Sequence, residues 1–287
     1  MAANPVVVGV DGSEESLRAV EWAALEARRH SLPLRIVSAP AAVPRLHTSS
    51  TSPREIASAL RGIAARALDA GITRAEEVAP GLSPRTGLLS GPPALAVAES
   101  GAGAAMLVVG SRGAGGFAAV VLGSVSRYAA SRAPCPVVVV REESMAVHRE
   151  IAVGVRDPQD TGEALAFAFE EAALRDADLV AIHTWFWQPS ATHRRAADDA
   201  DRISAEAADR LAAALEGWRE KYPGVRVRHD VVHGHPARVL ASYSARTDLV
   251  VLGRHGHPDG VGPGIGSIQH AVLDHAHGPV AVIPSSE

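Results

Sequence analysis

Val6-Val7-Val8-Gly9-Val10-Asp11-Gly12-Ser13 is an apolar run that stops at a polar turn. A strand with one wet face alternates apolar and polar residues. A run apolar at every position fits a strand covered on both faces, as in a parallel sheet between helices. The residues that follow agree. Ser13 is a helix N-cap by type, Glu14, Glu15 and Ser16 fill a first turn, and Leu17, Val20, Ala24 and Leu25 recur at helical spacing. Beyond them, strands are expected over 34–39, 86–90, 106–110 and 136–141, and helices over 53–70, 92–100 and 123–131. Such alternation of strand and helix specifies an open, doubly wound α/β layer.

The same pattern returns later in the chain. Ile151-Ala152-Val153-Gly154-Val155 repeats the first strand, and Leu249-Val250-Val251-Leu252-Gly253 repeats Met106-Leu107-Val108-Val109-Gly110. Gly266-Ser267 repeats Gly123-Ser124, and Gly278-Pro279-Val280 repeats Cys135-Pro136-Val137. The offset is 145 residues at the first pair and 143 at the later ones, the size of a whole domain rather than of a solenoid unit. Two tandem domains are expected, 1–146 and 147–287, divided in the polar stretch 141–148. In the second copy the second helix is longer, over 196–222, with a charged, solvated face.

Composition narrows the function classes. Of 287 residues 47% are hydrophobic and 21% charged, which is ordinary for a globular protein and excludes dominant disorder. A net charge of -4 supplies no general polyanion-binding surface, so no nucleic-acid partner is expected. No apolar run reaches the roughly 18 residues of a membrane span, and no basic segment followed by an apolar core opens the chain. No membrane partner and a cytoplasmic location are therefore expected. Cys135 is the one cysteine, so no intrachain disulfide or cysteine-rich metal site can form. Lys221 is the one lysine among 28 Lys and Arg residues, which confines lysine–phosphate chemistry to that position.

In open α/β sheets ligands sit beyond the carboxyl ends of the strands, where the strand order reverses. Asp11, Ser38-Ala39 and the glycine-rich loop from Gly110 all lie at such ends. That loop has glycine at 110, 113 and 123, followed by Ser124, a Gly-x2-Gly-x9-Gly-Ser spacing that recurs at Gly253, Gly256, Gly266 and Ser267. Glycines let backbone N–H groups approach a phosphate, and a helix opening at Gly123-Ser124 offers free N–H groups and a favourable dipole to an anion. An aspartate after the first strand suits a ribose hydroxyl or a base amino group. A flexible connection is the alternative reading of a glycine-rich loop, weakened here by its recurrence. There is no P-loop, and Gly9-Val10-Asp11-Gly12-Ser13 is not a dinucleotide fingerprint.

With these motifs the sequence resembles the universal stress protein family in its tandem form, over nearly the whole chain. Val8-Gly9-Val10-Asp11-Gly12-Ser13, Ser90-Gly91-Pro92-Pro93-Ala94, Val108-Val109-Gly110-Ser111-Arg112-Gly113 and Gly123-Ser124-Val125-Ser126 carry the resemblance. It implies two five-stranded parallel sheets of order 3-2-1-4-5, the adenine nucleotide alpha hydrolase-like fold, and membership of the ATP-binding subgroup. The implied ligand is ATP, alone or with Mg2+. Asp11, with Gly9 and Val10 before it, would take the adenosine part, and Ala39 would offer backbone to the adenine. Gly110, Gly113, Gly123, Ser124 and Val125 would hold phosphates and ribose, and Gly91 and Pro93 would shape the ribose side. Arg112 is either a phosphate contact or a solvated loop charge. In this family two domains pair across the fifth strand, which a tandem chain can do within itself, and association of two chains into a homodimer is expected.

The second copy departs from the pattern. Arg156 stands where the first has Asp11, with Asp157 one residue later as the substitute anchor. Val155, Asp157, Gly253, Gly256, Gly266, Ser267 and Ile268 are its candidate nucleotide residues, and Asp259, Pro258 and Pro263 weaken the loop as an anion site. His233-x-His235, His255-x-His257 and His275-x-His277 have chelating spacing, but polar loops tolerate histidine freely and no metal site is expected. No nucleophile–base pair is recognisable by motif, so binding without turnover is expected. Slow ATP hydrolysis, adenylate chemistry and a nucleotide-free interaction protein with relic loops are the alternatives.

Overall fold

The computed structural model describes residues 3–41, 52–113, 122–141, 147–156, 162–186, 196–254 and 265–285. The first compact unit contains β1 (Val6–Gly9), α1 (Glu14–Arg29), β2 (Leu34–Ser38), α2 (Pro53–Val78), β3 (Arg85–Leu88), α3 (Pro93–Glu99), β4 (Met106–Gly110), α4 (Ser124–Arg132) and β5 (Val137–Val140). The second contains β6 (Glu150–Gly154), α5 (Gly162–Arg175), β7 (Asp178–Trp185), α6 (Ala196–Lys221), β8 (Val227–His233), α7 (Pro236–Tyr243), β9 (Leu249–Arg254), α8 (Ser267–His275) and β10 (Val280–Pro284).

Within the first unit the order is β3-β2-β1-β4-β5 with every pair parallel. Within the second it is β8-β7-β6-β9-β10, again all parallel. Both are the expected 3-2-1-4-5 arrangement, so the order reverses between β1 and β4 and between β6 and β9. Val6, Val7 and Val8 have no exposed surface, nor do Leu107, Val108, Ile151, Ala152 and Val153. Each such valine contributes about 1.5–3 kcal/mol relative to an exposed one. Among the described residues no helix is long and apolar enough to cross a membrane.

Local chemistry sets the helix ends. Ser13 caps α1 and accepts from the Ser16 N–H, acidic Glu14 and Glu15 sit in the first turn, and Arg28 and Arg29 sit in the last. After α1 the chain turns through Ser31 at φ 55°, and after α5 through Asp176 at φ 50°, the same position in the repeat. The expected end of α2 at residue 70 is corrected, since the helix runs to Val78. Gly71 does not break it because that glycine meets β2, where a Cβ would stand 3.1 Å from Ile36 Cγ2. The repeat also exchanges one packing pair. A Cβ on Gly101 would lie 2.8 Å from Cys135 Sγ, whereas the matching positions hold Ser244 and Gly278, with a Cβ on Gly278 2.5 Å from the Ser244 carbonyl oxygen.

Candidate functional site

The first crevice lies at the carboxyl ends of β1, β2 and β4. Gly12, at φ 88°, lets the chain fold back after β1, a conformation that side chains rarely adopt. The turn is closed by Asp11, whose Oδ1 accepts from the Ser13 N–H at 3.0 Å and from the Ser13 hydroxyl at 2.6 Å. The Asp11 side chain is exposed, and its Oδ2 faces Gly113, where a Cβ would overlap it. The two loops after the neighbouring strands β1 and β4 are thus in contact through Asp11 and Gly113. Ala39, half-buried, follows β2 on the other side of β1. Gly9 is enclosed by Val97 and Val109, Gly91 turns at φ 102° into open space, and Pro93 starts α3.

The glycines of the loop have different roles. A Cβ on Gly110 would stand 2.7 Å from the Glu15 carbonyl oxygen, so this glycine permits close approach of β4 to the first turn of α1. The Gly123 N–H donates to the Ser111 carbonyl at 2.8 Å, which closes the loop and removes that donor from any ligand. Gly123 is also the N-cap of α4 without a side-chain cap bond. By helix geometry the N–H groups that follow, at Ser124, Val125 and Ser126, have no intrahelical partner. The buried Ser126 hydroxyl donates to the Gly110 carbonyl at 2.6 Å and ties α4 to the end of β4. Arg112 is drawn toward Glu15, 3.7 Å away, with both side chains partly exposed. Residues 114–121 of this loop lie outside the described residues.

The second crevice occupies the matching place. It is lined by Gly154, Val155, Arg156, Ile182, Thr184, Pro236, Leu240, Leu252, Gly253, Ile268 and Gln269. Val155, Gly253 and Ile268 among the expected residues are there, with Arg156 at the aspartate position. Gly266 is the uncapped N-cap of α8 and Ser267 its first residue. Gln269 takes the role of Ser126, its amide nitrogen donating to the Gly253 carbonyl at 2.8 Å. Asp157 and Gly256 lie outside the described residues, as do Pro258, Asp259 and Pro263.

The histidines are placed by packing. His233 packs at a tilt against Trp185 with ring centroids 4.6 Å apart and lies parallel to Phe186 at 6.2 Å. His235 is the N-cap of α7, His275 ends α8, and the His277 N–H donates to Ser244; His255 and His257 lie outside the described residues. Cys135 is buried. Thr184, Leu240, Leu252 and Gln269 were not expected in a site. Aligning the two copies at an offset of 145 would have found Thr184, which matches Ala39, but Leu240, Leu252 and Gln269 match Val97, Val109 and Ser126, which were not expected in a site either.

Comparison with known proteins agrees with this architecture. The sequence model of the universal stress protein family matches residues 3–141 and again 148–284. A universal stress protein of Mycobacterium tuberculosis is 35% identical, covering 98% of this chain and 97% of its own. One from Mycolicibacterium smegmatis is 33% identical, covering 97% and 96%. A crystal structure of a universal stress protein from Archaeoglobus fulgidus superposes with a TM-score of 0.70, at 17% identity, over 100% of this chain and 98% of that one, and so shares the fold. The two matched segments each cover one doubly wound unit, and the chain belongs to the universal stress protein family in its tandem, two-domain form.

Proposed function

We propose that the crevice of the first domain binds ATP and that the chain acts in stress response as a nucleotide-gated regulator or interaction module. The contact between Asp11 and Gly113 carries the reading. It puts an exposed carboxylate, an acceptor for ribose or base donors, beside a backbone that only glycine allows, at the reversal of strand order. Asp11 would hold the adenosine part, and Ser124 and Val125 at the uncapped start of α4 would meet phosphate. Mg2+ would accompany the phosphates. Arg112, turned to Glu15, is available to phosphate only by leaving that partner.

Binding without turnover is part of the proposal. The first crevice has Asp11 as its carboxylate at the strand ends, and both oxygens of Asp11 already face Ser13 and Gly113. A homodimer in the cytoplasm completes it. Mass spectrometry of small molecules released from the purified chain tests the reading. ATP or another adenine nucleotide at about one per chain supports it, and protein purified and titrated without any nucleotide bound contradicts it.

A further inference from the structure

β8 is an outermost strand and pairs with β7 in unbroken register over all seven of its residues, from Val227 beside Leu179 to His233 beside Trp185. The Leu179 N–H donates to the Arg226 carbonyl at 2.9 Å, and the Gly234 N–H donates to the Trp185 carbonyl at 3.0 Å. Main-chain groups alternate in direction along a strand, so the even-numbered residues face β7, and Val227, His229 and Val231 turn theirs to the open edge. Arg219 Nη2 reaches the Val227 carbonyl from that side, at 3.4 Å. Among the described residues no strand pairs with β8 on its open side. Natural sheet edges are blunted by proline, a bulge, charge or short length. β8 has no proline and no bulge, and its charges are of both signs.

Those charges stand in a self-complementary order. Arg228 and Asp230 share one face of the strand, where Arg228 bonds both Asp230 and Glu150, the latter at 2.9 Å, and the Tyr243 hydroxyl donates to Asp230. We propose that the open edge of β8 docks a second copy of this chain, strand to strand and antiparallel, about a two-fold axis at His229. The pairing rests on the homodimer of the proposed function and names its surface. In this register His229 faces His229 of the second copy and Val227 faces Val231, each pair exchanging main-chain hydrogen bonds. Arg228 then stands opposite Asp230 of the second copy, twice over, in the pairs whose side chains approach most closely. An axis at residue 228 or 230 would instead set arginine against arginine or aspartate against aspartate, which is destabilising. The first unit lacks the pattern, since β3 has four residues, with Arg85 and Gly87 at the positions of Arg228 and Asp230. A second copy is the partner because this edge carries both halves of the charge pattern, whereas a strand of single sign would satisfy one half and oppose the other.

Cysteine cross-linking in the full chain, read beside sedimentation velocity, tests the pairing. Cys135 is buried, so the parent chain serves as the blank under mild oxidant. His229→Cys sets two thiols across the axis with Cα atoms about 5.5 Å apart, within disulfide reach, and should give a covalent dimer. Arg226→Cys is the control, since that exposed position lies about 20 Å from its mate in this register and should give none. His229→Pro removes the outward N–H on the axis and no bond to β7, so dimer affinity should fall by about tenfold or more with circular dichroism unchanged. Should His229→Pro unfold, the two cysteine variants decide alone. A dimer that fails to cross-link at 229, that cross-links equally at 226, or that survives a folded His229→Pro unchanged overturns this surface and leaves the homodimer reading standing. A parent chain that sediments as a monomer at about 100 μM removes both.

Discussion

The carboxylate of Asp11 lies against the backbone of Gly113, so closely that a Cβ on the glycine would overlap Oδ2. The two residues lie in the loops that follow the neighbouring parallel strands β1 and β4, at the point where strand order reverses. Gly113→Ala should therefore displace the Asp11 side chain. Affinity for ATP is expected to fall by about tenfold or more, the scale of a lost charge-assisted hydrogen bond. Both residues are outside the core, so the urea midpoint should move little. Calorimetry and urea unfolding on the same variant check the two halves of this expectation.

Gly110 and Gly123 should separate in the opposite sense. A Cβ on Gly110 meets the Glu15 carbonyl oxygen at 2.7 Å, whereas the nearest atom to one on Gly123 is the Ser111 carbonyl oxygen at 3.5 Å. Gly110→Ala should destabilise the chain by about 1–3 kcal/mol through overpacking. Gly123→Ala should cost less than about 1 kcal/mol and act on ligand affinity. Chemical denaturation of the two variants side by side would show the difference, and equal losses would remove the distinction between a packing glycine and a site glycine.

The exchanged pair in the repeat predicts a compensation. Gly101→Ser in the first domain should destabilise by about 1–3 kcal/mol, because its Cβ meets Cys135 Sγ at 2.8 Å. Adding Cys135→Gly reproduces the Ser244 and Gly278 arrangement of the second domain and should restore part of that loss. A double-mutant cycle with zero coupling would show that the two positions do not share one packing space.

Tyr243 predicts a pH dependence. Burial raises its phenol above the usual range, and the bond from its hydroxyl to Asp230, 2.6 Å long, adds to the rise. A raised pKa in the folded state means that the folded chain keeps a proton that the unfolded chain gives up near pH 10. The stabilisation is whole below that pH and is lost as pH climbs through the folded value. Tyr243→Phe should lower stability by about 1.5–3 kcal/mol at neutral pH, the scale of a hydrogen bond to a charged group. It should also flatten the fall in stability above pH 10, as read by urea unfolding across pH 8 to 11.

The strands were legible because a sheet covered on both faces leaves no polar position, as in Val6-Val7-Val8 and Val137–Val140. The end of α2 was not, because Gly71 looks like a helix stop until β2 is seen pressing against it through Ile36. In the site, Asp11 and the glycines were legible as polar or small residues at the carboxyl ends of strands. Leu240, Leu252 and Gln269 were not, since an apolar residue or a buried amide at such spacing reads as core in a single copy. Gly110 and Gly123 show a further gap. Spacing placed both in one loop, but only packing distinguishes the glycine that meets α1 from the glycine that starts α4.

Calorimetric titration of ATP into the full chain and into its Asp11→Ala variant tests the central claim most directly. Asp11 is exposed and lies outside the buried Val6–Val8 core, so the variant is expected to fold, and its urea midpoint, measured alongside, reads the cost of the lost bonds to Ser13 separately from the affinity. The account predicts one strong site in the parent chain and a loss of about tenfold or more in the variant. Equal affinity in the two proteins would contradict it.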